Sequence, residues 1–163
     1  MGSRKDIGLA EDATGMWIET SRFGRVDVDE TRTITFPKGL LGFPRYTKYV
    51  LIEAGQDSAF WWLQSIELAD LAFVVTDPSI FVPTYRVPMH EDHVRDLGME
   101  GIDDAQVFVI VNKRDGLLTG NLQGPLVVNV RERVGEQLVL SDRRFTTRVP
   151  LVELGQRVVA ASA

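Results

Sequence analysis

The sequence contains no cysteine and only two histidines among its 163 residues. Without cysteine, disulfides, thiolate metal sites and cysteine nucleophiles are excluded. No apolar run approaches the roughly 18 residues that a transmembrane helix needs. Residues 1–16 hold no apolar segment of signal-peptide length either. We therefore expect a cytoplasmic protein with no membrane partner.

Catalytic patterns are also scarce. His90 and His93 are three residues apart, a spacing that could place two imidazoles on one helical face, but no HExxH or comparable metal signature accompanies them. No GxSxG elbow is present, and the glycine-rich stretches lack the spacing of phosphate-binding loops. The sequence predicts a protein that is not an enzyme and that has no metal or cofactor.

Length and composition predict one globular domain. The chain is 44% hydrophobic and 25% charged, which is typical of a folded protein with a single core. Residues 1–16 are small, polar and aperiodic, so we expect them to be a mobile tail or a cloning remnant. We place the domain at residues 17–155 and a short carboxy-terminal tail at residues 156–163.

The domain itself has the pattern of a mainly β protein. Short runs rich in β-branched and aromatic residues alternate with turn signals such as Asp77-Pro78 and Asp115-Gly116. Repeated strand and long-helix units are absent, which argues against a parallel α/β sheet. The pattern predicts a small single-domain antiparallel β-barrel-like fold with strands in the runs WIET, RVDVDE, TRTITF, KYVLIE, FWWLQS, AFVVT, AQVFVIVN, PLVVNV, QLVLS and RFTTRV.

One short helix is predicted near residues 90–98. Glu91 and Asp92 suit a helix amino terminus, and Gly98 suits its end. The segment 88–104 carries six carboxylates against one arginine, which equals the net charge of −5 of the whole chain. Such an acidic surface would attract a basic protein and repel phosphate, although a solvated helix face explains the same residues. The six carboxylates are Glu91, Asp92, Asp96, Glu100, Asp103 and Asp104.

Two further stretches each predict a local structure. Trp61 and Trp62 are adjacent in a predicted strand, so their side chains point to opposite faces and only one can enter the core. Thr119, Gly120 and Asn121 predict a tight turn with positive φ at one of the last two residues, with a strand beginning near Pro125. This second stretch then forms a hairpin corner at the rim of the barrel.

Four ordered motifs carry a resemblance to a known family. They are ITFPKGLLGFPRY at residues 34–46, FWWLQSIELADLAFVVTDP at 60–78, TGNLQGPLVVN at 119–129 and QLVLSDRRFTTRVPL at 137–151. In this order they resemble the flagellar assembly factor FliW, and the likeness runs from about Trp17 to Leu151. Three residues depart from the family pattern: Gly120 and Gly124 stand where Val or Ala is usual, and Phe145 stands for Tyr.

The resemblance implies a cytoplasmic protein that switches partners. Proteins of this family bind CsrA, a basic RNA-binding dimer that represses flagellin messenger RNA, and they also bind flagellin, which sequesters them until it is exported. A monomer with no direct nucleic-acid contact is expected. The six carboxylates of residues 88–104 become candidate CsrA contacts. Candidate flagellin contacts are Phe43, Trp62, Asn121, Leu122 and Pro125, although core packing explains each of them equally well.

Two other functions remain open at the level of sequence. A barrel that binds a small ligand, without a regulatory role, would need a polar-lined cavity. A barrel that binds single-stranded nucleic acid would need exposed aromatic residues flanked by Lys or Arg, but Glu67 and Asp70 follow the tryptophans, and acidic residues interrupt the arginines of residues 131–148.

Overall fold

The computed structural model describes the backbone of residues 15–153 and, apart from positions 102 and 153, their side chains. This part of the chain holds one short α-helix, α1, at Glu91–Asp96, and 3₁₀ turns at Glu30–Arg32, Pro78–Ile80 and Ile102–Asp104. None of its helices is long and apolar enough to cross a membrane. Its strands are β1 Gly15–Thr20, β2 Gly24–Asp29, β3 Ile34–Thr35, β4 Lys48–Glu53, β5 Phe60–Ser65, β6 Ala72–Thr76, β7 Ala105–Arg114, β8 Leu117–Gly120, β9 Leu126–Asn129, β10 Val134–Gln137 and β11 Val149–Glu153.

Seven strands close into a ring. Their order is β3, β4, β5, β6, β7, β9 and β10, and the ring closes because β10 pairs with β3. Every pairing in the ring is antiparallel except that of β10 with β3, which is parallel. The predicted mainly β, barrel-like fold is confirmed, with this one parallel pair as a difference.

Strand β7 organises one side of the barrel. Its first residues pair with β9, as Ala105 does with Asn129, and its last residues pair with β8, as Val111 does with Gly120. Strands β8 and β9 therefore lie end to end along the same edge of β7, and residues 121–125 interrupt them. Strand β11 extends the sheet beyond β8.

One hydrophobic core lies on each face of β7 and β9. The barrel interior holds large side chains from several strands, including Phe36, Tyr49 and Leu63. The second core lies on the outer face, where segments from residues 82–99 and 138–151 cover Val109 and Val127. Both faces of β9 are consequently buried, because successive residues of a strand point to opposite sides.

Helix α1 begins at Glu91 and ends at Asp96, inside the predicted range. Its end is local in origin: Gly98 has φ +68°, and its N–H donates to the carbonyl of Arg95 at 3.0 Å. Leu97 then enters the second core with 2% of its surface exposed. The carboxylates of the helix are left on the side that faces solvent.

The hairpin of β1 and β2 forms a separate two-stranded sheet. It begins at Gly15, two residues before the predicted domain start, and Gly24 with φ +70° completes its turn. The Ser21 N–H donates to the carbonyl of Ala69 at 3.0 Å, which ties the hairpin to the main sheet. The tails predicted at residues 1–16 and 156–163 lie outside the described residues, apart from positions 15 and 16.

Three strand predictions near the carboxy terminus differ from the structure. Strand β8 was not predicted, and β10 begins at Val134 rather than at Gln137. After Gln137 the chain stays extended, but its N–H groups bond to the loop of residues 121–125 instead, Leu138 to the carbonyl of Pro125 at 2.9 Å. The run RFTTRV is mostly turn, and β11 begins at its last residue, Val149.

Candidate protein interface

The predicted acidic residues do lie together on the surface. Glu91 and Asp92 occupy the first turn of α1, where the helix dipole favours negative charge. Five of the six side chains are exposed and Asp104 is half-buried. We call this surface the acidic segment, and it comprises Glu91, Asp92, Asp96, Glu100, Asp103 and Asp104.

Neighbouring cations offset part of this negative charge. Arg95 pairs with Asp92 in the helix, and Arg131 lies 3.4 Å from Asp104. Lys38 lies 3.8 Å from Asp96. Within residues 15–153, Glu91, Glu100 and Asp103 form no ion pair, so the uncompensated charge is concentrated on these three.

Lys38 also joins the acidic segment to the barrel. Its ammonium lies 3.3 Å from the Glu136 carboxylate, and this hydrogen bond, assisted by the charges of Glu136 and Asp96, raises the pKa of Lys38. Glu136 is in β10, next to Gln137. The Lys38 ammonium therefore lies between Asp96 at the end of α1 and Glu136 of β10.

A tight loop at residues 39–43, the apolar loop, displays two hydrophobic side chains. The Phe43 N–H donates to the carbonyl of Leu40 at 2.7 Å, which leaves Leu41 and Gly42 at the tip. Gly42 has φ +89° and Gly39 has φ +68°. Leu41 is 59% exposed and Phe43 is 37% exposed.

The apolar loop is held rigidly to the end of the barrel. Leu40 is buried in the barrel interior, and the Phe43 ring meets the Phe73 ring edge to face at 5.5 Å. The Leu41 N–H donates to the Gln137 side chain at 2.8 Å. Because the loop is already ordered, binding through Leu41 and Phe43 costs little conformational entropy.

The two tryptophans point in opposite directions, as predicted. Trp61 packs against the barrel interior. Trp62 lies on the outer face beneath the β1–β2 hairpin, with the Phe23 ring at 5.8 Å and the Arg22 guanidinium 4.2 Å above its indole. Trp62 is thus covered by its own chain to a large extent, which weakens it as a flagellin contact.

Leu122 and Pro125 are withdrawn as flagellin contacts, because the structure buries both of them. Leu122 has no exposed surface, and its carbonyl accepts a hydrogen bond from the Tyr85 hydroxyl at 2.6 Å. The positive φ expected at Gly120 or Asn121 is found at neither. Asn121 instead stays half-buried, and its side-chain oxygen accepts the N–H of Gly124 at 2.9 Å.

The loop of residues 121–125 needs particular residue types because it completes the second core. The Leu122 and Gln123 N–H groups donate to the carbonyl of Thr146 at 3.0 and 3.2 Å, and the Gln123 carbonyl accepts from Leu140 at 2.7 Å. The residue types of TGNLQGP therefore suit the segment that separates β8 from β9. The predicted hairpin corner is wrong because those two strands are not paired with each other.

The histidine pair and the barrel interior were also candidate sites. The rings of His90 and His93 are 5.5 Å apart, but no third ligand joins them, since residues 15–153 contain no group of three potential metal ligands. The barrel interior is filled by aromatic and aliphatic side chains, among them Phe36 and Tyr49. The small-ligand alternative therefore lacks the polar-lined lumen that it requires.

Comparison with known proteins places the whole arrangement in one family. The sequence model of the FliW protein family matches residues 17–151. The chain is 40% identical over 147 residues to the flagellar assembly factor FliW of Bdellovibrio bacteriovorus, covering 88% of this chain and 84% of that protein. It is 37% identical to a flagellar assembly factor FliW of Leptospira interrogans, covering 85% of this chain and 95% of that protein.

The chain belongs to the FliW family. A crystal structure of the flagellar assembly factor FliW agrees in fold, with a TM-score of 0.77 and 30% identity over 84% of this chain and 97% of that one. The resemblance read from the four motifs is confirmed. This protein is a flagellar assembly factor of the FliW type.

The departures from the FliW pattern have local structural counterparts. A Cβ on Gly120 would meet Leu151 at 3.1 Å, and one on Gly124 would meet the side chains of Asn121 and Gln137 at 3.0 Å. Phe145 packs edge to face on Tyr85 at 4.8 Å, in the second core. Gly120 and Gly124 are buried and Phe145 is half-buried, so all three departures alter packing around the loop of residues 121–125.

Leu41 and Lys38 are the surface residues that the sequence interpretation missed. Leu41 was not identified because it lies inside an apolar run that is typical of a buried core. The available signal was its place between Gly39 and Gly42 in GLLGF, since glycines on both sides of a leucine pair are typical of a hairpin tip.

Proposed function

We propose that this FliW-family protein is a cytoplasmic partner switch that binds CsrA and flagellin as alternatives. Binding to CsrA relieves repression of flagellin messenger RNA, and unexported flagellin sequesters the protein and releases CsrA. The protein acts as a monomer, without catalysis, and contacts protein rather than nucleic acid. Both partners meet it before flagellin export, so the exchange takes place in the cytoplasm.

The observation that carries this proposal is that two chemically different surfaces, the apolar loop and the acidic segment, lie next to each other. The apolar loop offers rigid hydrophobic anchors of the kind that dominate protein interfaces. The acidic segment offers three carboxylates that form no ion pair within residues 15–153, and these suit a basic RNA-binding protein. Lys38 lies between them, 3.8 Å from Asp96 and three residues from Leu41.

The acidic segment is assigned to CsrA. The variant Glu91→Gln, Glu100→Gln, Asp103→Asn removes the three carboxylates without ion pairs. We expect CsrA association at low salt to slow by about threefold to tenfold and its salt dependence to flatten, because long-range attraction sets the encounter rate. The matched control is Asp27→Asn, Glu53→Gln, Asp57→Asn, which changes the net charge equally on other surfaces.

Stopped-flow association of the two variants separates local from global charge. An equal effect of both variants would mean that only net charge matters. An unchanged on-rate in the first variant would remove the acidic segment from the CsrA site.

The apolar loop is assigned to flagellin. We expect Leu41→Ser with Phe43→Ser to weaken flagellin binding by about tenfold to a hundredfold, which corresponds to a loss of roughly 0.7–1.4 kcal/mol for each of the two side chains. The control is Trp17→Ser, which removes a side chain that is 62% exposed on the β1–β2 hairpin. Thermal unfolding of both variants checks that the fold is retained, and equal flagellin affinity in the two would contradict the assignment.

The switch itself is tested by calorimetric titration with the CsrA and the flagellin of the same organism, separately and in competition. We expect both to bind and flagellin to abolish CsrA binding at saturation. Binding of flagellin alone would leave a chaperone without a regulatory role. Binding of neither would refute the proposal.

A further inference from the structure

A polar cleft of about 340 Å³ opens on the sheet formed by β7, β8 and β11. Three of the residues that line it are cationic, and none of the described residues that line it is acidic. This is unusual in a chain whose net charge is −5. The cationic residues are Lys113, Arg114 and Arg148.

The strand register explains how polar groups converge there. Thr119 of β8 is paired directly with Asn112 of β7 and, on its other side, with Pro150 of β11. Paired residues of neighbouring strands share a face, so these positions form one floor, and Arg148 and Asn121 reach the same face by the alternation of the chain. The β7–β8 turn at Asp115 and Gly116, with φ of +52° and +76°, fixes the distance between the strands.

The Thr119 hydroxyl belongs to this floor, in a residue that lines the cleft and is 6% exposed. A hydroxyl can donate one hydrogen bond to an oxyanion. Together with the amides of Asn112 and Asn121, the floor can donate several hydrogen bonds to an oxyanion, and the cations supply the balancing charge.

We propose that this cleft binds a side-chain carboxylate from an acidic peptide segment of a partner protein. Charge complementarity selects an anion, since the cleft has three cations and no acid. Its hydrogen-bond donors suit the planar oxygens of a carboxylate. The inference does not depend on which partner carries the segment, so it stands apart from the assignments of CsrA and flagellin.

The position of the cleft favours a protein ligand. Asn121 bonds to Gly124, the Gly124 carbonyl accepts from Gln137 at 2.9 Å, and Gln137 accepts from Leu41. The cleft and the apolar loop therefore lie at the same end of the barrel, joined by a chain of hydrogen bonds. A peptide with both apolar and acidic side chains can use both.

A nucleic acid fits the cleft less well. No aromatic side chain lines it, whereas single-stranded nucleic acid is held by stacking on aromatic residues. The three cations are also too few for the extended basic groove that tracks a phosphate backbone. The acidic segment adds repulsion between this protein and a polyanion.

The test is an NMR titration of the full chain, labelled with ¹⁵N, with an octapeptide of alternating Glu and Ala. The control peptide replaces every Glu by Gln. We expect shifts confined to the amides of residues 112–121 and 146–150, loss of these shifts at high salt, and none with the Gln peptide. The variant Arg114→Gln with Arg148→Gln should bind about twofold to thirtyfold more weakly, because two exposed charge contacts are lost.

A matched variant controls for net charge. Lys48→Gln with Arg143→Gln removes two exposed cations that do not line the cleft, and it should bind the acidic peptide as the unmodified protein does. Three results would overturn the proposal: no localised shifts, equal shifts with the Gln peptide, or equal weakening in both variants. Tighter binding of a short single-stranded RNA or of inorganic phosphate to the same amides would reassign the cleft to phosphate and would also overturn it.

Discussion

The apolar loop depends on Gly39, and replacing this glycine with alanine is the most direct perturbation of the candidate interface. Gly39 has φ +68°, and an added Cβ would lie 2.6 Å from the Phe43 carbonyl oxygen and 2.6 Å from the Cα of Pro44. Real Cβ atoms do not approach backbone atoms so closely. The substitution must therefore move the backbone on one side of the loop.

Two contributions set the size of the effect. An alanine in the left-handed region costs about 1–2 kcal/mol. Relief of the backbone contact adds about 1–3 kcal/mol, the usual cost of overpacking. We therefore expect Gly39→Ala to lower the free energy of unfolding by about 2–5 kcal/mol, a large part of the roughly 5–15 kcal/mol of a small domain.

Gly42 provides the matched control. Its φ is +89°, but an added Cβ would meet nothing within 4 Å. Gly42→Ala should therefore lose only the conformational part, about 1–2 kcal/mol. Urea denaturation followed by tryptophan fluorescence measures both variants, and flagellin binding should weaken more in Gly39→Ala. If both variants lose the same stability, the close approach of Phe43 and Pro44 to Gly39 does not contribute to the free energy of unfolding, and the apolar loop is not rigid.

The two buried tyrosines give the remaining predictions. Tyr85→Phe should lower the free energy of unfolding by about 1–3 kcal/mol, because the Leu122 carbonyl loses its donor inside the second core. Tyr49→Phe should leave the free energy unchanged or raise it by up to about 1 kcal/mol, because the Tyr49 hydroxyl is buried without a partner within residues 15–153; a clear loss of stability would contradict this. Burial, with a smaller effect of Glu67, raises the pKa of Tyr49 from 10.0 to about 12. Because the pKa of Tyr49 is higher in the folded than in the unfolded state, the stability that this side chain contributes is complete below pH 10.0 and is lost as the pH rises to about 12. The loss of stability at alkaline pH should therefore be smaller in Tyr49→Phe. An equal pH dependence of the free energy of unfolding in the two proteins would refute this prediction.

Features with local causes could be predicted from the sequence. The helix was predicted correctly because Glu91, Asp92 and Gly98 act within one or two turns of it. The strands from β4 to β7 were predicted because their β-branched and aromatic residues favour extended chain almost regardless of partner. The opposite orientation of Trp61 and Trp62 follows from strand geometry alone.

Features with distant causes could not be predicted. Leu122 and Pro125 were expected at the surface because turn residues usually lie there, but residues 82–99 and 138–151 cover that side of the barrel. Nothing in TGNLQGP itself reveals this cover. The ends of β10 and β11 are likewise set by which strands pair with them, and a single sequence does not state its pairings.

The charge of the acidic segment shows the same division between local and distant causes. Its concentration at residues 88–104 is readable from the sequence, but the cations that offset it come from elsewhere: Lys38 from before the apolar loop and Arg131 from after β9. Only the fold reveals that Asp96 and Asp104 are partly compensated.

In the proposed switch, the position of Lys38 also suggests how one partner would exclude the other. A typical protein interface covers about 800 Å² on each side, a patch about 30 Å across. Leu41 follows Lys38 by three residues, which span at most about 11 Å, and the Lys38 ammonium lies 3.8 Å from Asp96. A partner seated on the apolar loop would therefore overlap a partner seated on the acidic segment. Overlap alone gives the reciprocal loss of affinity that a switch requires, because each partner lowers the affinity of the other by the same factor. The proposed switch therefore requires no conformational change in the barrel, whose interior is filled by Phe36, Tyr49 and Leu63.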